Sequence, residues 1–351
     1  MMSLLPWVSE VAIDVGTANV HVAVKDGGVV VREPALVAYR VSNDTPVAFG
    51  TEAKQMLEQG VTEVYVVQPL QAGVVADMNA AAVMLRHYLQ KALGRRPLFS
   101  PTVLTAYPTA ATQVSRRALV QALRAAGAGR VIALQKSLAT ATGAGLAVDA
   151  ATTAMVIDIG AGTTDAAALS MGMISDGISV PLGGASLDEA LVRGIKRQQG
   201  IRLSHHAAEE IKLHVGSVDP SLASSPPAGA ANMGSFSDKA DDIKAFGVQL
   251  DEVPDIIHDA CMPIAEELSW LIEQLPAKVR SHLGTTGAVM TGGTSQLRGL
   301  SSLLGNRTGV PMAVATDPMS CTMLGLQAIL NNLHALSLDG RRVSFAALTR
   351  S

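Results

Sequence analysis

Residues 11–25, VAIDVGTANVHVAVK, and residues 155–170, MVIDIGAGTTDAAALS, spell one pattern twice. Each copy is an apolar run ending in Ile-Asp, a turn of small residues with Gly and Thr, and a second apolar run, which predicts a β-hairpin. The copies stand nearly half a chain apart, a period too long for a stack of small repeats, so the sequence describes two related halves. A length of 351 residues gives each half enough chain for its own core.

Charge and cysteine content narrow the function. With 27 Lys plus Arg against 30 Asp plus Glu, the net charge of -3 offers no whole-chain attraction for nucleic acid, and none is expected as a partner. Cys261 and Cys321 are far apart and lack metal-ligand spacing, which fits a reducing cytoplasm. The opening MMSLLPWVSE has no basic segment and no long apolar run, and no later window reaches a membrane-spanning length without charges, so a soluble or peripheral protein is expected. Leu4, Leu5, Trp7 and Val8 nevertheless form an apolar cluster near the terminus. They read either as a strand docked on the core or as a membrane or partner contact, the latter for the interfacial preference of Trp.

Between and beyond the hairpins, strands and helices alternate, the mark of α/β layers. GGVVVREPALVAYR (27–40) continues as strands, and MNAAAVMLRHYLQKAL (78–93) has apolar residues at helical spacing. PTVLTAYP (101–108) and RVIAL (130–134) read as buried strands on either side of a helix over 114–127 closed by Gly127. A helix of small residues is expected over ATATGAGLA (139–147), followed after the second hairpin by helices over 187–200, 205–216 and 252–275. GAVMTGG (287–293) is a strand entering a Gly-rich turn, whereas 218–240 is rich in Pro, Ser, Gly and Ala and reads as a long loop or insertion. The tail from residue 336 shows no period.

Three Gly-rich turns therefore follow three apolar strands: Asp14 to Asn19, Asp158 to Asp165, and Thr291 to Ser295. Glycine lets backbone N–H groups approach a polyphosphate, and Thr and Ser hydroxyls add donors. A triphosphate brings a divalent cation, and Mg2+ binds through carboxylates and ordered water, which gives the matched Asp14 and Asp158 a chemical reason to be there. The alternative reading is that each aspartate caps its own turn.

These motifs resemble the phosphate 1, phosphate 2 and adenosine motifs of the superfamily of actins, heat-shock chaperones and sugar kinases. The stretches FGTEAKQML, PLQAGVVADMNAAAVMLRHYLQKA, GGASLDEALV, AEEIKLHVGS and VMTGGTSQLRGL are similar to the MreB/Mbl branch of bacterial rod-shape actins, over residues 10–217 and 245–332. The resemblance implies an actin-like α/β fold of two ribonuclease-H-like domains with a nucleotide cleft between them. Domain I would comprise residues 1–146 and 319–351, with a small subdomain around 33–76; domain II would comprise 147–318, with a variable small subdomain around 185–246. Asp14 and Asp158 would hold hydrated Mg2+ from opposite sides. Thr17, Ala18 and Asn19, together with Gly160, Ala161 and Gly162, would contact ATP phosphates. Glu209, Glu210, Ile211 and Lys212 would flank the adenosine, although AEEIK alone reads as a solvated helix face. Gly292, Gly293, Thr294 and Ser295 would close over base and ribose.

The resemblance also implies a self-assembling filament on the inner face of the cell membrane, partnered by cell-shape and wall-synthesis machinery. Leu98 and Phe99, beside Arg95 and Arg96 in RRPLFSP, match a loop that the family inserts into lipid. The alternative is a loop folded onto the core. The sequence departs from the family at Leu134-Gln135-Lys136-Ser137, where two glutamates and a proline are usual and the second glutamate positions the attacking water. A charged ammonium cannot accept a proton, so weak ATPase activity is expected, with Gln135, Lys136 or Thr163 taking the catalytic part. Ala161 and Thr294 replace usual glycines, and 218–240 replaces part of the smallest subdomain. A non-polymerising scaffold ATPase of the same fold is the rival reading; a sugar kinase would need an acceptor-site aspartate, for which no motif is present.

Overall fold

The computed structural model describes residues 9–94, 100–222 and 247–333. The chain divides into two compact units: Met1–Ala154 with Ala167–Ser179 and Ser320–Ser351, and Met155–Ala166 with Val180–Met319.

In the first unit, β1 (Glu10–Val15), β2 (Asn19–Val24), β3 (Gly28–Pro34), β9 (Thr102–Tyr107) and β10 (Arg130–Gln135) form a five-stranded sheet of order β10-β9-β1-β2-β3. The hairpin side is antiparallel, with Asp14 opposite His21, and the other side is parallel, with Val11 beside Val103 and Ala133 beside Thr105. β9 is buried along its whole length, as a strand covered on both faces must be. Against this sheet pack α2 (Met78–Leu93), capped by Asp77 and closed by Gly94 at φ 66°, and α3 (Gln113–Ala125), capped by Thr112. Ile13, Val22, Met84, Leu85, Tyr88, Val103 and Leu123 belong to the resulting core.

A smaller sheet of order β5-β4-β6 combines β4 (Val37–Arg40), β5 (Pro46–Phe49) and β6 (Val64–Val67) with α1 (Gly50–Glu58). Glu33 accepts from both the amide and the hydroxyl of Thr51 in the first turn of α1 and pairs with Lys91 at 2.6 Å. Burial pushes the Glu33 carboxyl up, but Lys91 and Thr51 outweigh it and hold the carboxyl at about 2. The two-stranded β7 (Leu70–Gln71) and β8 (Val74–Val75) completes this region. α4 (Lys136–Gly143) follows β10 directly and packs on the helix Cys321–Asn331.

The second five-stranded sheet has the order β13-β12-β11-β14-β15, from β11 (Ala154–Ile159), β12 (Thr164–Ser170), β13 (Met173–Val180), β14 (Ala288–Thr291) and β15 (Met312–Val314). β14 runs parallel to both β11 and β15. The plan repeats that of the first sheet: the central strand carries the aspartate, its hairpin lies on one side and two strands from later in the chain lie on the other. α5 (Gly184–Gln199), α6 (His205–Val215) and the helices Val253–Gln274, Ala277–Thr286 and Leu300–Thr308 complete this half.

The helix expected over 139–147 instead begins at Lys136 and ends at Gly143, because Gln135 turns out of β10 at φ -68° and ψ 133° and starts it at once. No helix among the described residues is long and apolar enough to cross a membrane. Leu4, Leu5, Trp7, Leu98 and Phe99, most of the 218–240 stretch and the tail from 336 lie outside the described residues.

Candidate functional site

The two hairpin turns are closed alike. Gly16 N donates to Asn19 O at 2.9 Å, and Gly160 N donates to Thr163 O at 2.9 Å, each bond starting two residues after the aspartate. In the first unit, Asp14, the turn Thr17, Ala18 and Asn19, and the pair Gln135 and Lys136 all gather at the carboxyl ends of the parallel strands. In the second unit the same edge carries Asp158, the turn Gly160, Ala161 and Gly162, and Thr291 to Ser295. Open α/β sheets bind ligands at that edge.

Thr17 is fixed from outside its turn. Gln68 Nε2 donates to its carbonyl at 2.6 Å and Gly73 N donates to its hydroxyl at 3.0 Å. A hydroxyl that accepts in this way keeps its own proton for another acceptor, such as a phosphate oxygen. Ala18 O accepts from Ala35 N at 2.8 Å, while Asn19 is exposed.

The Asp14 side chain is 16% exposed, and His21 Nδ1 lies 3.9 Å from its Oδ2. Burial pushes the Asp14 carboxyl up, but His21 and the Lys136 ammonium more than offset it and hold it below the ordinary carboxylate range. Lys136 is half-buried at the first position of α4 and electrostatically coupled to Asp14. Gln135 Nε2 donates to Thr109 O at 3.0 Å, and the Thr109 hydroxyl accepts from Ser137 N at 3.3 Å, so Thr109 shapes the start of α4.

In the second unit, Asp158 is buried and its Oδ1 accepts from the Thr291 hydroxyl at 3.0 Å. Gly292, at φ 82°, passes so close that a Cβ there would lie 2.3 Å from Ile159 O and 2.8 Å from Asp158 Oδ1. Only glycine fits that conformation and that approach. The carbonyls of Gly160 and Ala161 accept from Gly184 N at 2.9 Å and Ala185 N at 2.8 Å, and the Thr294 hydroxyl donates to Gly160 O at 2.9 Å. The carbonyl side of the turn is thus held by protein. Gly293 opens a short 3-10 helix, and the buried Ser295 hydroxyl donates to Gly292 O at 2.7 Å. The Thr163 hydroxyl donates to Asp165 at 3.1 Å.

α6 joins this network through Lys212, whose Nζ donates to Gly184 O at 3.0 Å and to Asp188 Oδ2 at 2.8 Å. Burial raises the Asp188 carboxyl against the opposing pull of Lys212. Glu209 and Glu210 are half-buried, Glu210 bonds His214 at 3.1 Å, and Ile211 is in the core. Sequence reasoning did not single out Gln68, Gly73, Thr109, Asp188 or Thr291 as site residues. Thr291 had a readable signal, since it ends the strand that enters the third Gly-rich turn; the others act through contacts distant in sequence.

Among the described residues, no group of three or more His, Cys, Asp and Glu side chains is arranged to hold a metal. The Asp158 setting, with one oxygen bonded by Thr291 and glycine backbone close by, fits a hydrated divalent ion met by a single carboxylate. The Asp14 setting fits less simply, because that carboxylate already has a cation beside it.

The family profile described as MreB/Mbl protein matches residues 8–338. The chain belongs to the MreB/Mbl family. The cell shape-determining protein MreB of Escherichia coli K12 is 34% identical over 336 residues, covering 90% of this chain and 92% of that protein. The cell shape-determining protein Mbl of Bacillus subtilis 168 is 31% identical over 333 residues, covering 93% and 97%. Among solved structures, MreB5 of Spiroplasma citri bound to AMPPNP superposes with a TM-score of 0.80 at 26% identity, covering 93% of this chain and 97% of that one. The fold expected from the resemblance, an actin-like α/β fold, is the one observed.

Proposed function

We propose that this chain binds ATP with Mg2+, using the turns of both halves, and assembles with itself into a filament that organises cell shape and wall synthesis at the inner face of the cell membrane. The observation that carries this reading is the pair of aspartate-led turns, each closed by the same backbone bond at the carboxyl edge of its sheet. The AMPPNP bound to the structurally similar S. citri MreB5 supports the nucleotide part. In this reading Thr17, Ala18 and Asn19 meet the phosphates from one side and Gly160, Ala161 and Gly162 from the other. Glu209, Glu210, Ile211 and Lys212 line the adenosine, and Gly292, Gly293, Thr294 and Ser295 cover it. Mg2+ would supply charge neutralisation of the phosphates when bound, and Asp14 and Asp158 would orient its water shell. The nucleotide-bound filament would be cytoplasmic and peripheral to the membrane.

A second reading, a scaffold of the same fold that binds ATP without polymerising or hydrolysing it efficiently, draws on the half-buried Lys136. Pelleting with ATP together with a phosphate-release assay separates the two. The filament reading expects ATP-dependent pelleting, and failure to pellet at any protein concentration that keeps nucleotide bound would sink it.

Two further outcomes are expected. Asp158→Ala should weaken Mg-nucleotide binding by about 10- to 100-fold, the usual effect of removing a group that orients a metal's inner ligands. Unchanged affinity in calorimetry would remove Asp158 from the metal site. For the membrane, Leu98→Ser with Phe99→Ser, combined with removal of residues 1–8, should sharply reduce co-sedimentation with anionic liposomes. Each apolar Å² withdrawn from water is worth about 25 cal/mol. Undiminished binding in the combined variant would show that Leu98, Phe99, Leu4, Leu5 and Trp7 are not anchors.

A further inference from the structure

Away from the Gly-rich turns, α5 is clasped to the segment that leads into the helix Val253–Gln274. Gln199 Nε2 donates to Gln249 O at 3.0 Å and to Glu252 Oε2 at 2.8 Å, and Gln249 N donates back to Gln199 Oε1 at 2.9 Å. Further along, Gly194 of α5 lies so close to the facing helix that a Cβ there would be 2.7 Å from Ile256 Cδ1. Ala190 and Ala260 are nearly as small, and the space left beside them is a cavity of about 340 Å³, also lined by Ser186 and Pro263. Pockets that hold small molecules span roughly 300–1,000 Å³. The Ser186 hydroxyl donates to Gly183 O at 2.6 Å and accepts from Gly183 N at 3.0 Å, so this part of the wall is held in place before any ligand arrives.

The charges around this cavity stand in two rows of opposite sign. Arg193 and Arg197 are spaced i, i+4 on α5, and Asp255 and Asp259 are spaced i, i+4 on the facing helix, so each row follows one helix face. Helix ends favour Arg197 in the last turn of α5 and Asp255 in the first turn of its neighbour, and neither needs the other to be stable there. Arg193 pairs along its own helix with Glu189 at 3.1 Å, and Asp259 lies 3.5 Å from the adjacent His258. Among the described residues, no ion pair joins the basic row to the acidic one across the cavity. The acidic wall holds a further acceptor. Pro263 has no N–H, so the carbonyl of Asp259, four residues earlier, lacks its helical donor.

We infer that the cavity between α5 and the helix Val253–Gln274 is a binding site for a small zwitterion of dipeptide size, its carboxylate on Arg197 and its ammonium on Asp259. A planar guanidinium meets a carboxylate through two parallel N–H bonds, and an ammonium has three donors to share between the Asp259 carboxylate and the freed carbonyl. Ligands of a single charge fit poorly: an anion meets the aspartates and a cation the arginines. An uncharged molecule draws water away from both rows and replaces none of it. Side chains no larger than methyl groups suit a floor built from Ala190, Gly194 and Ala260. The site is independent of the Gly-rich turns and does not rest on the nucleotide-binding reading.

The test is a titration of the full chain with alanyl-alanine, followed by ligand-observed NMR, beside three relatives of the same dipeptide: N-acetylated, C-amidated, and blocked at both ends. Saturable binding of the free dipeptide is expected, weakened by either single block and lost with both. Arg197→Gln should weaken the free dipeptide by about fivefold, the upper range for an exposed ion pair, and should leave the C-amidated form unaffected because that form has no carboxylate to lose. Asp259→Asn should do the converse, weakening the free dipeptide while leaving the N-acetylated form unaffected. Both side chains are exposed, so neither change disturbs the core. The inference fails if the free dipeptide does not bind saturably, or if the doubly blocked form binds as well as the free one. It fails equally if the dipeptide binds but neither variant weakens it, since the dipeptide then sits elsewhere. The four wild-type titrations decide between charge recognition and its absence even if a variant does not fold.

Discussion

Phosphate release by Lys136→Glu is expected to exceed that of the parent by about 10²- to 10⁴-fold, the range a positioned general base or water-orienting group contributes. The resemblance to the MreB/Mbl branch implies a water-positioning glutamate where Lys136 stands. An ammonium has three donors and no acceptor, so while charged it cannot take a proton from water. The other candidates are partly committed: Gln135 donates its amide to Thr109, and the Thr163 hydroxyl donates to Asp165. The parent should therefore turn over slowly, with ATP-bound subunits that persist and filaments that last. Introducing glutamate also places a second carboxylate near Asp14, and two close carboxylates raise one another's pKa unless a cation lies between them. The measurement should accordingly be made at saturating magnesium with both proteins assembled. An unchanged rate, from a parent that already hydrolyses readily, would assign the water to Gln135, Thr163 or another group.

Which parts of this arrangement could be read from the sequence follows from the range of the interactions involved. The two hairpins and α2, found at the predicted Met78–Leu93, are written locally in apolar periodicity, an Asp cap and a closing glycine. α1 was missed because GTEAKQMLE buries only Gly50 and Ala53 and so shows little apolar stripe. α4 was expected three residues late: the sequence reads as a strand ending at Leu134 and a helix starting at Ala139, and the hydroxyl that accepts from Ser137 N at the true start, that of Thr109, comes from a different segment. In α6 the sequence offered AEEIK as a run of local charge pairs. The bond from Glu210 to His214 is local in that sense, whereas Lys212 instead reaches Asp188 on α5, a pairing that no spacing rule announces.

The same limit applies to glycine, and it makes the second large effect a matter of position rather than residue type. α4 and the helix Cys321–Asn331 approach backbone to backbone: a Cβ on Gly143 would lie 1.8 Å from Cys321 O, and one on Gly325 would lie 1.8 Å from Ala139 O. Ala139 and Gly143 are spaced i, i+4, as are Cys321 and Gly325, so each helix turns one small-residue face to the other. The Thr140 and Thr322 hydroxyls bond at 2.8 Å across the contact. Gly325→Ala would gain about 1 kcal/mol of helix propensity. Against that, a carbonyl at 1.8 Å cannot be accommodated by a rotamer change, so the helices must separate and surrender packing along their length. Overpacking of a core costs about 1–3 kcal/mol even where side chains can yield, and here only backbone can. A net loss of about 3 kcal/mol is expected, lowering Tm by about 6–12 °C in a domain of this size. Gly284→Ala supplies the opposite sign. It lies exposed in the helix Ala277–Thr286, its nearest neighbour to a Cβ is Gly309 O at 3.9 Å, and it should stabilise by about 0.5–1 kcal/mol. Thermal unfolding of both variants checks the contrast. Because α4 begins with Lys136, Gly325→Ala should also weaken nucleotide binding while Gly284→Ala leaves it alone; equal unfolding temperatures for the two variants would mean that the helices do not meet through their glycines.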